Sequence, residues 1–181
     1  PYIPVVLAVA TLILSVTMAV RIERMAVGSA RAMFLAFSAL FGFTVSQYLY
    51  LYDLGSVLAA FLAAALYFGV LAAYGYFTHT DLSRMGSFLF GSLIFLVVYG
   101  SATWIFGVFS AIDWLVSLFA IAVFLGYTAY DTQKIRYYYN FYCGYPDMLE
   151  KAAIFSALQL YLDFVNLFVR LLQLLGNRKR N

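Results

Sequence analysis

The sequence predicts an all-α fold, a polytopic transmembrane helical bundle with six helices. Only 10% of the 181 residues are charged, whereas 65% are apolar. An ordinary soluble domain carries about a quarter charged residues, so this chain has too few charges to cover a water-exposed surface. Its apolar residues form continuous runs of about 20 residues, the length that a helix needs to cross the hydrocarbon core. Because these runs do not alternate with polar residues, a transmembrane β-barrel is excluded.

The six apolar runs give the predicted helices in order. They cover residues 2–20, 30–52, 55–77, 86–109, 112–130 and 153–175. We expect the transmembrane bundle to span residues 1–175 and a basic C-terminal tail to follow at 176–181. The third run carries small residues four apart, Ala59 with Ala63 and Gly69 with Ala73. Such pairs allow close helix approach, although alanine is also simply common in membrane helices.

Lysine and arginine concentrate in alternate loops. Arg21, Arg84 and Lys134 lie in the loops after the first, third and fifth runs. The loops after the second and fourth runs hold Asp53 and Asp113 and no lysine or arginine. Cytoplasmic loops of membrane proteins carry an excess of these basic residues. The pattern therefore places Arg21, Arg84 and Lys134 in the cytoplasm.

The last run, residues 153–175, differs from the others because it carries one stripe of polar residues. At about 100° per residue, their spacing of four, three, four and three puts them on one narrow face of a helix. A membrane helix turns such a face toward protein or water, not toward lipid. We therefore expect this last helix to lie centrally, with the others as a wall around it. The polar residues are Gln159, Asp163, Asn166, Arg170 and Gln173.

The basic tail leaves two paths open for the last run. If residues 153–175 cross fully, Arg178, Lys179 and Arg180 lie outside, against the charge rule. If the run is re-entrant, the tail returns to the cytoplasm. We favour a full crossing because the run has full length and the rule weighs the earlier loops more heavily.

Asp163 is the charged residue that most needs a partner, because an ionised carboxylate near the middle of a bilayer costs several kcal/mol. The best candidate is Asp131, at the end of the fifth run. Two carboxyls in a poorly hydrated site would share one proton. Protonated, the pair would tie two helices together; deprotonated, it would repel and present hard oxygen ligands to a cation such as calcium. Arg21 or Arg24 would reach the same site and oppose proton uptake.

A purely structural role for Asp163 remains the alternative. In that case it is protonated and hydrogen-bonded to Tyr127, Tyr130 or Asn166, and it holds the bundle together. For Asp131 alone, an aspartate at a membrane helix end is usually just solvated.

Other site chemistries are largely excluded by composition. The chain has one cysteine, Cys143, and one histidine, His79, so it forms no internal disulfide and no His/Cys metal cluster. Its net charge of +3 reflects loop bias and does not indicate nucleic-acid binding. The tyrosine-rich residues 137–145 are typical of an aromatic belt at the membrane surface, and a ligand surface is the less favoured interpretation.

Three segments resemble a known family. They are Leu158–Gly176 (LQLYLDFVNLFVRLLQLLG), Gly126–Ile135 (GYTAYDTQKI) and Arg21–Ser46. Together they are similar to the transmembrane Bax inhibitor motif family, bacterial branch. The core Tyr161–Phe168 is the most specific part of the resemblance.

The resemblance implies a seven-helix bundle whose last helix is wrapped by the other six, so we expect a first helix upstream of this sequence. It also implies a calcium-leak channel gated by protons through two aspartates, which match Asp131 and Asp163. An arginine coupled to that pair matches Arg21 or Arg24, and the local sequence does not decide between them. The short loops and basic tail suggest the bacterial cytoplasmic membrane.

Our leading hypothesis is a pH-sensitive calcium-leak channel in the lipid bilayer. Calcium would be the permeant ion, with Asp131 and Asp163 as its ligands and no permanently bound cofactor; the pore-lining candidates are Gln159, Asn166 and Arg170. The alternative is a non-conducting membrane regulator that binds another membrane protein, such as a quality-control protease. An intramembrane aspartyl protease is disfavoured, because no glycine-flanked turn beside Asp163 would unwind the helix, so we expect no enzyme.

Overall fold

The computed structural model describes residues 3–106 and 112–177, and it confirms an all-α bundle. A single 3₁₀ turn, Ile22–Arg24, connects the first two helices. Six helices are long and α3 is a four-residue continuation of α2, so the six predicted helices are present. The helices are α1 (Ile3–Arg21), α2 (Val27–Ser46), α3 (Tyr48–Leu51), α4 (Leu54–Phe77), α5 (Met85–Phe106), α6 (Asp113–Tyr142) and α7 (Pro146–Leu175).

Within the described residues, five segments are long and apolar enough to cross a membrane, namely Val27–Leu51, Leu54–Phe77, Met85–Thr103, Asp113–Tyr142 and Pro146–Leu175. Their outward faces carry large apolar side chains that remain exposed, as a surface in contact with lipid requires. Leu35, Leu66 and Phe88 are 66%, 68% and 64% exposed. The protein is therefore a multi-pass membrane protein.

Two helices are longer than predicted. α6 continues to Tyr142, twelve residues beyond the predicted end at 130, and α7 begins at Pro146 instead of residue 153. Apolar runs mark the hydrocarbon thickness, but a helix is free to continue into the headgroup region. Pro146 suits the first turn of α7, where its missing N–H has no helical partner to lose.

α7 lies centrally, as predicted, and α6 shares that position. α7 packs against α2, α4 and α6, while α6 also packs against α4 and α5. The largest cluster of buried apolar side chains joins α4, α5, α6 and α7, and it includes Ala64, Leu89, Phe124 and Leu167. A smaller cluster joins α1, α2 and α7 through Met18, Phe37 and Leu158.

The close approach of α4 to its neighbours uses different small residues from those predicted. Ala60, Ala64 and Gly75 are buried, whereas Ala59 and Gly69 are exposed, so Ala59 and Gly69 do not make the close contacts of α4. A Cβ atom at Gly75 would overlap the backbone of Ala129 on α6. Only glycine therefore fits at this crossing.

Three connections, residues 21–24, 78–84 and 143–145, lie at the same end of the bundle. We call it the basic end, because Arg21, Arg84 and Lys151 lie there. There Lys151 Nζ donates to Glu23 O at 3.1 Å, and Gln133 Nε2 donates to Thr80 O at 2.8 Å. At the opposite end, Asn177 N donates to Ser56 Oγ at 3.0 Å. α7 thus crosses the whole bundle, as we favoured from sequence.

The side of the membrane that each end faces remains a prediction. The basic residues of the predicted tail, Arg178, Lys179 and Arg180, lie outside the described residues.

Candidate functional site

Two buried aspartates from adjacent helices line one small cavity. Asp131 of α6 and Asp163 of α7 are 4% and 5% exposed. Both line a cavity of about 180 Å³, and their carboxyls act on each other electrostatically. The structure therefore brings the two predicted aspartates together. The rest of the lining is Leu93, Phe124, Tyr127, Gln159, Leu162 and Asn166.

Helical register explains why these polar side chains meet. Asp131 follows Tyr127 by four residues, and Asp163 follows Gln159 by four and precedes Asn166 by three. Residues at these spacings share one face of a helix. Because α6 and α7 pack against each other, their two polar faces enclose the same space.

Each aspartate has one oxygen without a hydrogen bond. Asp131 Oδ1 and Asp163 Oδ2 are buried and find no partner among the residues that the structure describes. If Asp163 only held the bundle together, its carboxyl would form a hydrogen bond with Tyr127, Tyr130 or Asn166. Asp163 Oδ2 forms none of these hydrogen bonds. A buried carboxyl oxygen left in this way is costly, above all when it is ionised. Sharing a proton, or binding water or a cation, lowers that cost.

Lys134 is a basic residue that acts on Asp131, and sequence reasoning missed it. It lies one turn further along α6 and interacts electrostatically with the Asp131 carboxyl. Its Nζ lies 5.5 Å from the ring centroid of Tyr130 and 5.6 Å from that of Tyr138. These cation–π contacts hold the ammonium near the pair. The spacing of three residues after Asp131 would have revealed Lys134, had α6 been predicted to continue past residue 130.

Arg21 and Arg24, the predicted coupling residues, lie elsewhere at the basic end. Arg21 ends α1 and Arg24 lies in the 3₁₀ turn, and both are exposed. Neither is among the described residues that line the cavity of the aspartates. The coupling of an arginine to the pair stays a prediction.

A second, larger cavity of about 630 Å³ adjoins the first, because Leu93, Phe124, Leu162 and Asn166 line both. It opens between α1, α2 and α5 in the half of the bundle away from the basic end. Of the three pore-lining candidates, Gln159 lines the small cavity, Arg170 the large one and Asn166 both. The polar residues that line the larger cavity are Thr11, Ser15, Thr44, Ser101, Asn166 and Arg170.

Hydrogen bonds connect Arg170, which lines the larger cavity, to polar side chains beyond the cavity. Arg170 Nη1 donates to Gln173 Oε1 at 3.2 Å, and Gln173 Nε2 donates to Tyr48 Oη at 3.4 Å. Nearby, Tyr99 Oη donates to Asp113 Oδ1 at 2.5 Å. The polar stripe predicted on α7 therefore extends in space from the aspartates to the end opposite the basic loops.

The pair has few ligands for a resident metal ion. Among the described residues, no group of three or more His, Cys, Asp or Glu side chains is placed to hold one. Calcium takes six to eight oxygen ligands. The two carboxylates alone bring four oxygens, so a calcium ion beside them would need further ligands from Gln159, Asn166, Tyr127 or water. The predicted metal role of Asp131 and Asp163 remains a prediction.

Comparisons with known proteins agree with the segments noted in the sequence. A family model described as "Inhibitor of apoptosis-promoting Bax1" matches residues 1–180. Inner membrane protein YbhL of Escherichia coli K12 is 37% identical over 175 residues, which cover 96% of this chain and 74% of YbhL. A protein of Borreliella burgdorferi is 33% identical over 160 residues, or 88% of this chain and 68% of that protein.

A eukaryotic protein also matches, over a shorter length. Bax inhibitor 1 of Schizosaccharomyces pombe is 38% identical over 101 residues, which cover 56% of this chain and 35% of that protein.

Proposed function

The chain belongs to the Bax inhibitor family, and from that premise we propose that it is a pH-sensitive calcium-leak channel gated by Asp131 and Asp163. The proposed activity is transport, with calcium as the permeant ion and no chemical reaction. The relative YbhL is an inner membrane protein, which agrees with a site of action in the cell membrane.

The observation that carries the proposal is that two buried carboxyls share one cavity and this cavity adjoins a larger one. Each carboxyl has an oxygen without a hydrogen bond among the described residues. A change in the number of protons on the pair changes the attraction between α6 and α7, on which the two groups sit. Ionised oxygens at this depth would also attract a hard cation from the larger cavity.

The proton is the proposed control because the pair cannot carry two charges cheaply. Two carboxylates that face each other in a poorly hydrated cavity repel strongly, so one proton is retained over a wide range of pH. Losing that proton requires the helices to separate or a cation to enter. Either response widens the cavity that the pair lines and so couples pH to ion passage.

The test is calcium flux from proteoliposomes containing the purified full chain, measured across about pH 5 to 8. Asparagine keeps the size of aspartate but cannot titrate, so Asp131→Asn and Asp163→Asn should change the flux and flatten its pH dependence. Asp147→Asn is the matched control, because Asp147 is exposed in the first turn of α7, far from the cavity.

The outcomes separate the alternatives. A wild-type pH response in both variants would contradict the proposed gate. No flux from the purified wild-type protein at any pH, together with specific co-purification of one membrane protein, would favour the non-conducting regulator.

A further inference from the structure

A separate cavity of about 450 Å³ lies at the basic end, between residues 78–84 and the last turns of α6. It is distinct from the cavity of the aspartates in the part of the chain that the structure describes. Basic, hydroxyl and amide side chains dominate its lining. Those that matter here are His79, Ser83, Lys134, Arg136, Tyr137 and Asn140.

The loop wall of this cavity is fixed to α6 by hydrogen bonds. Gln133 Nε2 donates to Thr80 O at 2.8 Å, and Leu82 N donates to Gln133 Oε1 at 2.9 Å. One side-chain amide thus binds two backbone groups of the same loop. The cavity is therefore formed before any ligand arrives, which lowers the entropic cost of binding.

The two basic residues of the lining, Lys134 and Arg136, are held in place and keep N–H donors that can bind a ligand. Arg136 Nη1 donates to Tyr76 O at 2.9 Å, which uses one of the five N–H donors of a guanidinium. Lys134 Nζ lies between the rings of Tyr130 and Tyr138. Both cations line the same space, so a group with several acceptor oxygens would contact both at once.

The one acidic residue in the lining, Asp81, is satisfied within its own loop. Asp81 Oδ1 accepts a hydrogen bond from the backbone N of Ser83 at 2.9 Å. That bond, helped by the Ser83 hydroxyl, lowers the pKa of Asp81. Lys134 and Arg136 outnumber this single carboxylate. The cavity therefore favours an anion.

We propose that this cavity binds a phosphate-bearing anion, with Lys134 and Arg136 as its charged ligands and Asn140 as a neutral donor. Arginine and lysine are the side chains that recognise phosphate oxygens. The phosphate would come either from the headgroup of an anionic lipid or from the aqueous phase. Basic pockets between membrane helices, near a belt of tyrosines, suit a lipid headgroup.

Binding is measured by isothermal titration calorimetry on the full chain in an uncharged detergent. The probes are inorganic phosphate, a short-chain phosphatidylglycerol and a phosphatidylcholine of the same chain length. Lys134→Gln should weaken binding of the anionic probe about tenfold, since it removes one charge-assisted hydrogen bond. Lys134→Arg keeps the charge and the ring contacts, so it should bind like the wild type.

Lys151→Gln is the matched control. It removes one lysine charge at the same end, but Lys151 lines a different cavity and donates to Glu23 O. Its effect should stay within about twofold, because Lys151 does not line the proposed site and its ammonium already donates to Glu23 O. Size-exclusion profiles and thermal unfolding of each variant show that it is folded before binding is compared.

The probes identify the source of the phosphate. Binding of inorganic phosphate that depends on Lys134 supports the site with a soluble ligand, and binding of phosphatidylglycerol alone that depends on Lys134 supports it with a lipid ligand. Equal binding of phosphatidylglycerol and phosphatidylcholine, equal losses in Lys134→Gln and Lys151→Gln, or no binding of any probe would overturn the proposal. None of these results depends on whether the protein conducts calcium.

Discussion

Helix α4 packs tightly on one side of the α6–α7 pair, whereas α1, α2 and α5 leave a cavity of about 630 Å³ on the other side. We call α4 the packed wall and the other three helices the open wall. On the packed wall, Gly75 touches the backbone of α6, and the Phe61 ring lies 5.5 Å from that of Phe164 and 6.1 Å from that of Phe168. On the open wall, an added Cβ at Gly100 would meet nothing within 4 Å.

The difference indicates where the protein has room to move. Tightly packed helices shift only at the cost of many contacts, whereas helices beside a cavity rearrange at lower cost. The aspartate pair lies between the two walls. We infer that the packed wall holds Asp131 in place and that any opening takes place on the side of α1, α2 and α5.

The largest expected effect tests the packed wall. Gly75→Ala forces a methyl group into the backbone of Ala129 and should destabilise the protein by about 3 kcal/mol. The control is Gly69→Ala on the same helix, where an added Cβ meets nothing within 4 Å. It should stabilise the protein by about 0.5–1 kcal/mol, because alanine is the better helix former. Thermal unfolding in detergent measures both, and equal stability of the two variants would show that the contact at Gly75 does not hold α4 against α6.

The next effect concerns the junction between the two cavities. Asn166→Leu replaces a polar amide with a larger apolar side chain where both cavities meet. Calcium flux should fall about tenfold, equivalent to about 1.4 kcal/mol in the barrier. Asn140→Leu, on the basic-end turn of α6, is the control and should keep the wild-type flux. Unchanged flux in Asn166→Leu would mean that the ion path avoids the junction.

A smaller effect concerns the charge next to the pair. The positive charge of Lys134 favours the ionised form of Asp131, so without it the pair keeps its proton to higher pH. In Lys134→Gln the midpoint of the pH dependence of flux should therefore move upward by about 0.5 pH unit, or about 0.7 kcal/mol. Lys134→Arg should leave the midpoint in place. An unchanged midpoint in Lys134→Gln would show that Lys134 does not act on the pair, and a downward shift would contradict the stated direction.

The smallest effect tests what attaches the open wall at the basic end. Arg31 of α2 forms an ion pair with Glu150 of α7, and the two side chains are 64% and 37% exposed. An exposed pair of this kind contributes little, so Arg31→Gln should change the free energy of unfolding by at most about 0.5 kcal/mol. A larger loss in thermal unfolding would mean that this ion pair, and not the packing of Phe37 and Leu158, holds α2 to α7.

The sequence predicted the bundle and the aspartate pair because membrane thickness and polar periodicity both leave direct marks in it. The stripe through Gln159, Asp163 and Asn166 survives in the structure as the lining of one cavity. The central position of α6 could not be predicted, because its apolar residues occur on all faces of the helix and indicate no packing side.

The other misses have similar causes. Residues 131–142 are polar and aromatic, a composition that suits a loop as well as a helix in the headgroup region, and Lys134 was missed with them. The contact of Gly75 with Ala129 depends on the crossing of two helices that are far apart in sequence. Small residues occur at several spacings along α4, so the sequence did not identify the face that packs.

The hydrogen bond between Asn177 and Ser56, at the end opposite the basic end, has a consequence for biogenesis. At the start of α4, the Asp53 carboxylate accepts a hydrogen bond from the backbone N of Ser56. The Ser56 hydroxyl oxygen in turn accepts a hydrogen bond from the backbone N of Asn177, 121 residues later. The hydrogen bonds at the start of α4 are therefore complete only after the ribosome has added more than a hundred further residues. A nascent chain stopped before Asn177 would insert α4 with this contact missing.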